Sequence, residues 1–347
     1  MSEQNLITQH PDYPFSDEFD SSRFQTWLDT FDPGPEIDSP EELLVDEFLR
    51  FVQRYAFLET VVQGEIRYEL PLLEKSVLDQ LSMDGGEWET QAGVLAAAQL
   101  ELLGNPETPV LDLDDSLESN GIKVVRSIRE FENPFGAFFF NGQVGPAFLI
   151  AGNQDTGIES YILAHLIGHL LADHDPYRNR ICRWDKGFEN LEIDARELRA
   201  DLFARRVLLP EPQLRETLEH LTSAVEAGES EAGSIGPVLS ALFGVSPKVL
   251  HARLIEMGMD ALAGHLSTDG AAAMPGDLPE LPNSGRMFAD ESFFLPDRYA
   301  NLALACFHER VMERDALSKF LGLSETETES IIQWGQVARI PDSEFDF

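Results

Sequence analysis

The sequence predicts an α+β fold, predominantly helical, with a small β-sheet packed on a helix pair and flanked by helix-turn-helix-like modules. Three observations carry this expectation. Apolar residues recur at three- and four-residue steps over most of the chain, the period of an amphipathic helix. Residues 122–152 instead hold short apolar runs set around glycine-rich turns, as strands do. The 347 residues suffice for two or three structural units and a sizeable core without disulfides or metals.

Composition narrows the function classes. Hydrophobic residues at 43% and charged residues at 25% exclude a wholly disordered chain. Lys and Arg number 25 against 62 Asp and Glu, a formal net charge of -37. Such a balance opposes nucleic-acid binding through a broad basic surface, and opposes docking on anionic lipid. A basic protein partner, or simply high solubility, fits better. The two cysteines, Cys182 and Cys306, supply neither a disulfide framework nor a Cys-rich zinc site, so a cytoplasmic location is the default. The N-terminus lacks the basic-then-apolar order of a secretory signal. The longest apolar window, Tyr161 to Ala172, is too short for a bilayer and contains two histidines.

Taken in order, residues 1–47 form an acidic arm with 13 acids and one base, Arg23. Phe15, Phe19, Phe24, Trp27 and Phe31 are interleaved with the acids. The arm reads either as a solvated, partly disordered tail or as an acidic-aromatic segment that docks on a basic groove. Residues 48–103 form an N-terminal helical region, its pattern already starting at Pro40 with Leu43, Leu44, Phe48, Phe51, Val52, Tyr55 and Leu58. Ser82 to Gly86 interrupts it, and Gly104 and Pro106 stop the helix over Gly93 to Leu103. In the next unit, 104–221, IKVV after Gly121 reads as a strand, and GAFFF and AFLIAG as a hairpin around NGQVG. Helical signals then persist to about Leu221, followed by a small acidic connector at 222–234. Residues 235–263 form a compact two-helix module. Residues 264–347 comprise a loop and a helical pair from about Arg298 to Trp334.

The chemistry concentrates in YILAHLIGHLLADHD, residues 161–175. His165 and His169, four apart, lie on one helix face about one turn apart, a spacing that suits two imidazoles on one metal. The same spacing also serves two hydrogen-bonded core histidines, since the surrounding residues are apolar. A second segment, NLEIDARELRADLFARRVLLP, places Glu197, Ala200, Asp201, Ala204 and Leu208 on one face. The alanines permit close approach to a neighbouring helix, and a carboxylate there is a standard third ligand beside two histidines. Asp201, one turn further on, is the natural group to orient a liganding imidazole. Read alone, Glu197 is more often a solvated helix charge.

The two motifs together resemble the ImmA/IrrE family of bacterial and phage zinc metallopeptidases. The family pattern is A-H-E-x-x-H on a helix, then E-x-x-A-[ND]-x-F-A-x-x-L-L-x-P. Here the first motif stands as Ala164, His165, Gly168 and His169, and the second as Glu197, Ala200, Asp201, Phe203, Ala204, Leu208, Leu209 and Pro210. The likeness covers roughly residues 90–260 and implies zinc as cofactor, held by His165, His169 and Glu197, with 104–221 as the metallopeptidase-like domain. One departure matters. The family's catalytic Glu follows the first histidine, and here that position is Leu166. Such a Glu takes a proton from metal-bound water and passes it to the leaving amine, which leucine cannot do. Glu159 lies seven residues earlier, about 10 Å along the axis at 1.5 Å per residue, too far to substitute. Asp173 and Asp175 lie near the helix end, and His174 closes it.

IGPVLSALFGVSPKVLHARLIEMG, residues 235–258, reads as two helices about a turn at Gly244, with Ser246 and Pro247 opening the second. Lys248, His251 and Arg253 are the side chains it offers for docking or DNA contact, beside Glu256. The run from Tyr299 to Gly335 looks like a second such unit, with Ser324 and Glu327 as a capping box. Three functions follow as expectations. The first is a regulatory protein of metallopeptidase fold with impaired or no hydrolysis, a pseudoenzyme that binds a partner. By the resemblance, that partner is a basic helix-turn-helix repressor in a stress or mobile-element response. The second is an active zinc endopeptidase with an engineered Leu166 or a bypassed base. The third is a DNA-binding transcription regulator.

Overall fold

The computed structural model describes residues 40–68, 88–102, 113–129, 131, 135–141, 144–151, 156–173, 180–184, 195–228, 232–264 and 292–337. Residues 1–39 of the expected arm, the Ser82 to Gly86 break, His174, Asp175 and most of the loop at 264–296 lie outside them, as does the side chain of Asp173, while residues 40–47 of the arm are helical.

Among the described residues three helices come first: α1 (Pro40–Gln63), α2 (Trp88–Leu102) and α3 (Leu113–Ser119). Strands β1 (Lys123–Arg126), β2 (Phe135–Asn141) and β3 (Gly145–Ala151) lead into α4 (Thr156–Asp173). Then follow β4 (Arg180–Trp184), α5 (Ala195–Leu208), α6 (Glu211–Glu226), α7 (Ile235–Phe243), α8 (Pro247–Glu256) and the short α9 (Asp260–Ala263). The last described elements are α10 (Asp297–His308), α11 (Arg314–Leu321) and α12 (Glu325–Val337). The fold is thus α+β and helix-dominated, with a mixed sheet in the order β1-β3-β2-β4.

The expected hairpin forms: β2 pairs antiparallel with β3, with Phe138 opposite Phe148, while β1 runs parallel to β3. Strand β4 pairs antiparallel with β2, Gly136 opposite Trp184. It corrects the expectation that helical signals persist through this region. Arg180 to Trp184 is too short for a helical period to be told from alternation, and pairing with β2 decides the matter.

Side chains alternate across the sheet into two cores. Val124, Phe138, Phe140, Phe148 and Ile150 face a core completed by α2, α4, α5 and the α7–α8 pair. Val125, Phe135, Ala137, Phe139, Ala147 and Leu149 face a second core completed by α1 and α10 to α12. The helical modules expected to flank the sheet therefore share its cores and are not separate units. Strands β2 and β3 are apolar at both alternating positions, so both faces must be covered.

A buried ion cluster fastens the second layer. Glu59 of α1 sits 2.8 Å from Lys123 Nζ of β1 and 2.7 Å from an Arg298 nitrogen of α10. Lys123 also donates to the Val144 carbonyl at 2.6 Å. Residues 292–294 run beside the end of β1, through Phe294 N to Arg126 O and Ile128 N to Ser292 O, both 2.9 Å.

The α7–α8 pair turns through 100° at Gly244, which adopts the left-handed conformation with φ 60°. Ser246 caps α8 by accepting from Val249 N. Gly322 (φ 66°) ends α11 the same way, and Ser324 and Glu327 form the expected capping box on α12. Among the described residues no single helix is long and apolar enough to cross a membrane.

Candidate metal centre

Helices α4 and α5 approach closely because small residues meet where they cross. A Cβ placed on Gly168 would lie 3.2 Å from the Ala200 Cα and 2.9 Å from a Phe203 ring carbon. That contact brings the His165 and Glu197 faces together. His165 Nε2 is 3.0 Å from His169 Nε2 and 3.2 Å from Glu197 Oε2, and His169 Nε2 is 3.4 Å from Glu197 Oε1. Tetrahedral zinc with N and O ligands at ordinary bond lengths separates its donors by about 3.3 Å. The three donors thus already stand at nearly that mutual spacing, and the set of two imidazoles and one carboxylate fits zinc. Of the three, Glu197 alone is substantially exposed, its side chain at 34% against 0% and 5% for the histidines. The centre is buried on its helix side and open beside the carboxylate.

Asp201 lies where the spacing placed it. Its Oδ1 is 3.0 Å from His165 Nδ1 and accepts from the Tyr161 hydroxyl at 2.7 Å. Burial alone would push the Asp201 carboxyl up. The hydrogen bond and charge of His165, with the Tyr161 bond and the Arg205 field behind them, hold it below the usual carboxylate range. Glu197 behaves likewise: burial opposes its ionisation, and hydrogen bonds from His165 and His169 overcome that and hold it well below the usual range. Burial and the Asp201 carboxylate push the Tyr161 phenol well above its ordinary value, so it stays a donor.

Helix α5 is fixed from outside the centre as well. Arg199 donates to Gln91 Oε1 at 3.1 Å and stacks on Trp88. Arg206 donates to Glu256 at 2.6 Å and to the Glu89 carbonyl. Glu256 also pairs with Arg253 at 2.9 Å, while Arg253 Nε donates to the Leu209 carbonyl at 3.1 Å. Arg253 is 5% exposed and is consumed in this clamp, so it is not the docking or DNA contact that the sequence suggested. Lys248 is exposed and His251 half-buried.

Leu166 is 0% exposed. A Cβ on Gly136 of β2 would lie 2.8 Å from its Cδ1 and 2.5 Å from Ile162 Cγ2, so the glycine admits these side chains beneath the strand. Glu159, the carboxylate nearest in sequence before it, is paired with Arg126 at 2.9 Å at the far end of α4. Tyr161 escaped the sequence reading, which counted it among the apolar residues of the helix. Its position four before His165, on the ligand face, was the available signal.

A buried helix carrying H-x-x-x-H, a neighbouring helix supplying Glu197, and a small mixed sheet beneath them define a metallopeptidase-type fold. Residues 121–255 match the peptidase M78 family model, described as the IrrE N-terminal-like domain. Over that span the chain carries a domain of the ImmA/IrrE family. No curated protein matches the chain.

Proposed function

We propose that this is a regulatory protein of ImmA/IrrE-like fold that holds zinc on His165, His169 and Glu197, with peptidase activity impaired or lost. It acts by binding a protein partner, a basic repressor of the helix-turn-helix type. The observation that carries this reading is Leu166, buried and packed under β2 at the position of the general base. Zinc supplies Lewis-acid polarisation of water or a carbonyl when bound. The residues around it orient the ligands, but Leu166 provides no group to move the proton. The acid excess, -37 overall, suits a basic partner.

The test has two parts. Zinc-reconstituted protein is analysed for metal beside His165→Ala, and then incubated with a purified helix-turn-helix repressor that it captures. One zinc lost in the variant, with the repressor bound and left intact, supports the proposal. Equal zinc in both proteins sinks the ligand assignment, and zinc-dependent cleavage of the repressor sinks the loss of activity.

The intact donor set favours a second reading, an active endopeptidase that bypasses the missing base or whose Leu166 was engineered. Cleavage in the same assay would select it. Direct DNA reading by α8 loses support with Arg253 buried.

A further inference from the structure

We propose that the acidic-aromatic arm, residues 1–39, docks on the outward side of the α7–α8 pair of its own chain. This goes beyond the zinc reading and stands without it.

The pair differs in charge from the chain that carries it. Residues 235–255 hold no Asp or Glu, in a protein with 62 of them. Glu256, which ends α8, is taken by Arg206 and Arg253. The outward stripe of α8 is Lys248, His251, Ala252 and Ile255, at steps of three and four. On α7 the outward side offers Val238, Ala241 and Leu242. Leu242 at 47% and Ile255 at 46% are the most exposed of the large apolar side chains described. An apolar side fringed by Lys248 opposes a basic partner, because like charges across an interface cost binding. It fits an acidic, aromatic occupant.

The arm has that chemistry. Residues 1–39 carry nine acids and one base, Arg23. Within them Phe24, Trp27, Leu28 and Phe31 stand at steps of three, four and seven, the anchor spacing of a helix laid on an apolar surface. Asp20, Asp29 and Asp32 flank these anchors and supply charge for Lys248.

The attachment point is within reach. Helix α1, where the arm ends, pairs Glu47 with Arg129 just past the end of β1. The start of α4 lies at that same end, through Glu159 and Arg126. Helix α5 runs antiparallel to α4, with Glu197 beside His169 and Asp201 beside Tyr161. Leu209, which receives Arg253 of α8, therefore lies toward the end of the sheet where the arm joins α1. Residues 32–39, between the last anchor and Pro40, span up to about 26 Å at about 3.3 Å each. An arm docked there covers Lys248 and His251, the side chains that α8 would offer to a nucleic-acid phosphate.

The experiment uses the full-length protein and a zero-length carbodiimide, which joins a lysine amine to a carboxylate in contact with it. The chain has five lysines, Lys75, Lys123, Lys186, Lys248 and Lys319, so linked peptides identify the docking place by mass. An equal mixture of light and heavy-nitrogen protein separates links within one chain from links between chains. The expected product joins Lys248 to arm peptides holding Asp20, Asp29 or Asp32, within one chain. Its yield should fall about 10-fold or more in Ile255→Glu, and likewise in Trp27→Ala combined with Phe31→Ala, as for loss of an interface anchor. Ile255 is exposed, so the new charge meets water rather than core. An arm that links to other lysines but not to Lys248, or a Lys248 link unmoved by Ile255→Glu, overturns the proposal. Lys248 links that join light to heavy chains overturn it too, since the occupant would then be the arm of a second copy.

Discussion

Leu166 lies directly beneath Gly136: a Cβ on that glycine would come within 2.8 Å of the Leu166 Cδ1. The position at which the ImmA/IrrE-like pattern would place its catalytic Glu is here part of the contact between helix α4 and strand β2. Gly136→Ala must therefore displace Leu166 or Ile162, or lift the strand. Overpacking of this kind typically costs about 1–3 kcal/mol. Denaturant unfolding of the variant should show that loss, and unchanged stability would mean the helix and strand are not in contact there.

Restoring a carboxylate has two opposed consequences. Leu166→Glu should raise zinc-dependent cleavage of the cognate partner by something like the 10²–10⁴-fold of general acid–base help. The same change replaces a fully buried apolar side chain by a charge, so the melting temperature should fall. Cleavage assayed below the lowered melting point separates the two effects. A stable variant that binds zinc and the partner yet cleaves no faster would remove Leu166 as the cause of the proposed loss of activity.

Acid stability of the zinc-free protein should depend on Asp201. Burial opposes its ionisation, but His165 first, then Tyr161 and Arg205, hold its folded pKa below the ordinary aspartate value of 3.8. A depressed carboxylate contributes stability that is fully present above its unfolded pKa and is lost as pH falls through its folded pKa. Below 3.8 the unfolded chain binds the proton first, so stability declines toward lower pH. Asp201→Asn should flatten that acid limb in unfolding curves taken from pH 5 downward. An identical limb in both proteins would show that Asp201 carries no depressed pKa.

The parts that were legible in the sequence and those that were not differ in physical kind. His165, His169, Glu197 and Asp201 were legible because helical spacing puts them on facing stripes and the two motifs together resemble the ImmA/IrrE pattern, which names the ligands; Gly168 and Ala200 mark where the stripes meet. The β2–β3 hairpin was legible from two apolar runs about a turn. The second layer was not, because which helices cover the outer face of a sheet depends on contacts between distant segments such as α1 and α10. Arg253 was misassigned from its charge. Its spacing of three from Leu250 and four from Val249 places it on the buried stripe of α8, where it finds Leu209 and Glu256.

The attachment of the second layer should depend on Glu59. This carboxylate is completely buried and accepts two cations, Lys123 from the sheet at 2.8 Å and Arg298 from α10 at 2.7 Å. Removing the shared partner leaves Lys123 buried without its counter-charge, a situation that typically costs about 3–5 kcal/mol. Arg298, at 19% exposure, can turn partly to water, whereas Lys123, at 0%, cannot. Glu59→Gln should therefore be strongly destabilising at neutral pH, and Lys123→Met less so, because Glu59 then keeps Arg298. The pH dependence follows from Lys123. Burial pushes its pKa below the ordinary lysine value of 10.5, and Glu59 is the group that opposes the fall. Without Glu59 the folded pKa drops further, so the unfolded chain binds the proton over a wider range below 10.5 and stability rises with pH across it. Denaturant unfolding at pH 7 and pH 9 should then show the deficit of Glu59→Gln narrowing at the higher pH. A deficit that is negligible at pH 7, or that widens at pH 9, would show that Glu59 does not hold the two layers together through Lys123.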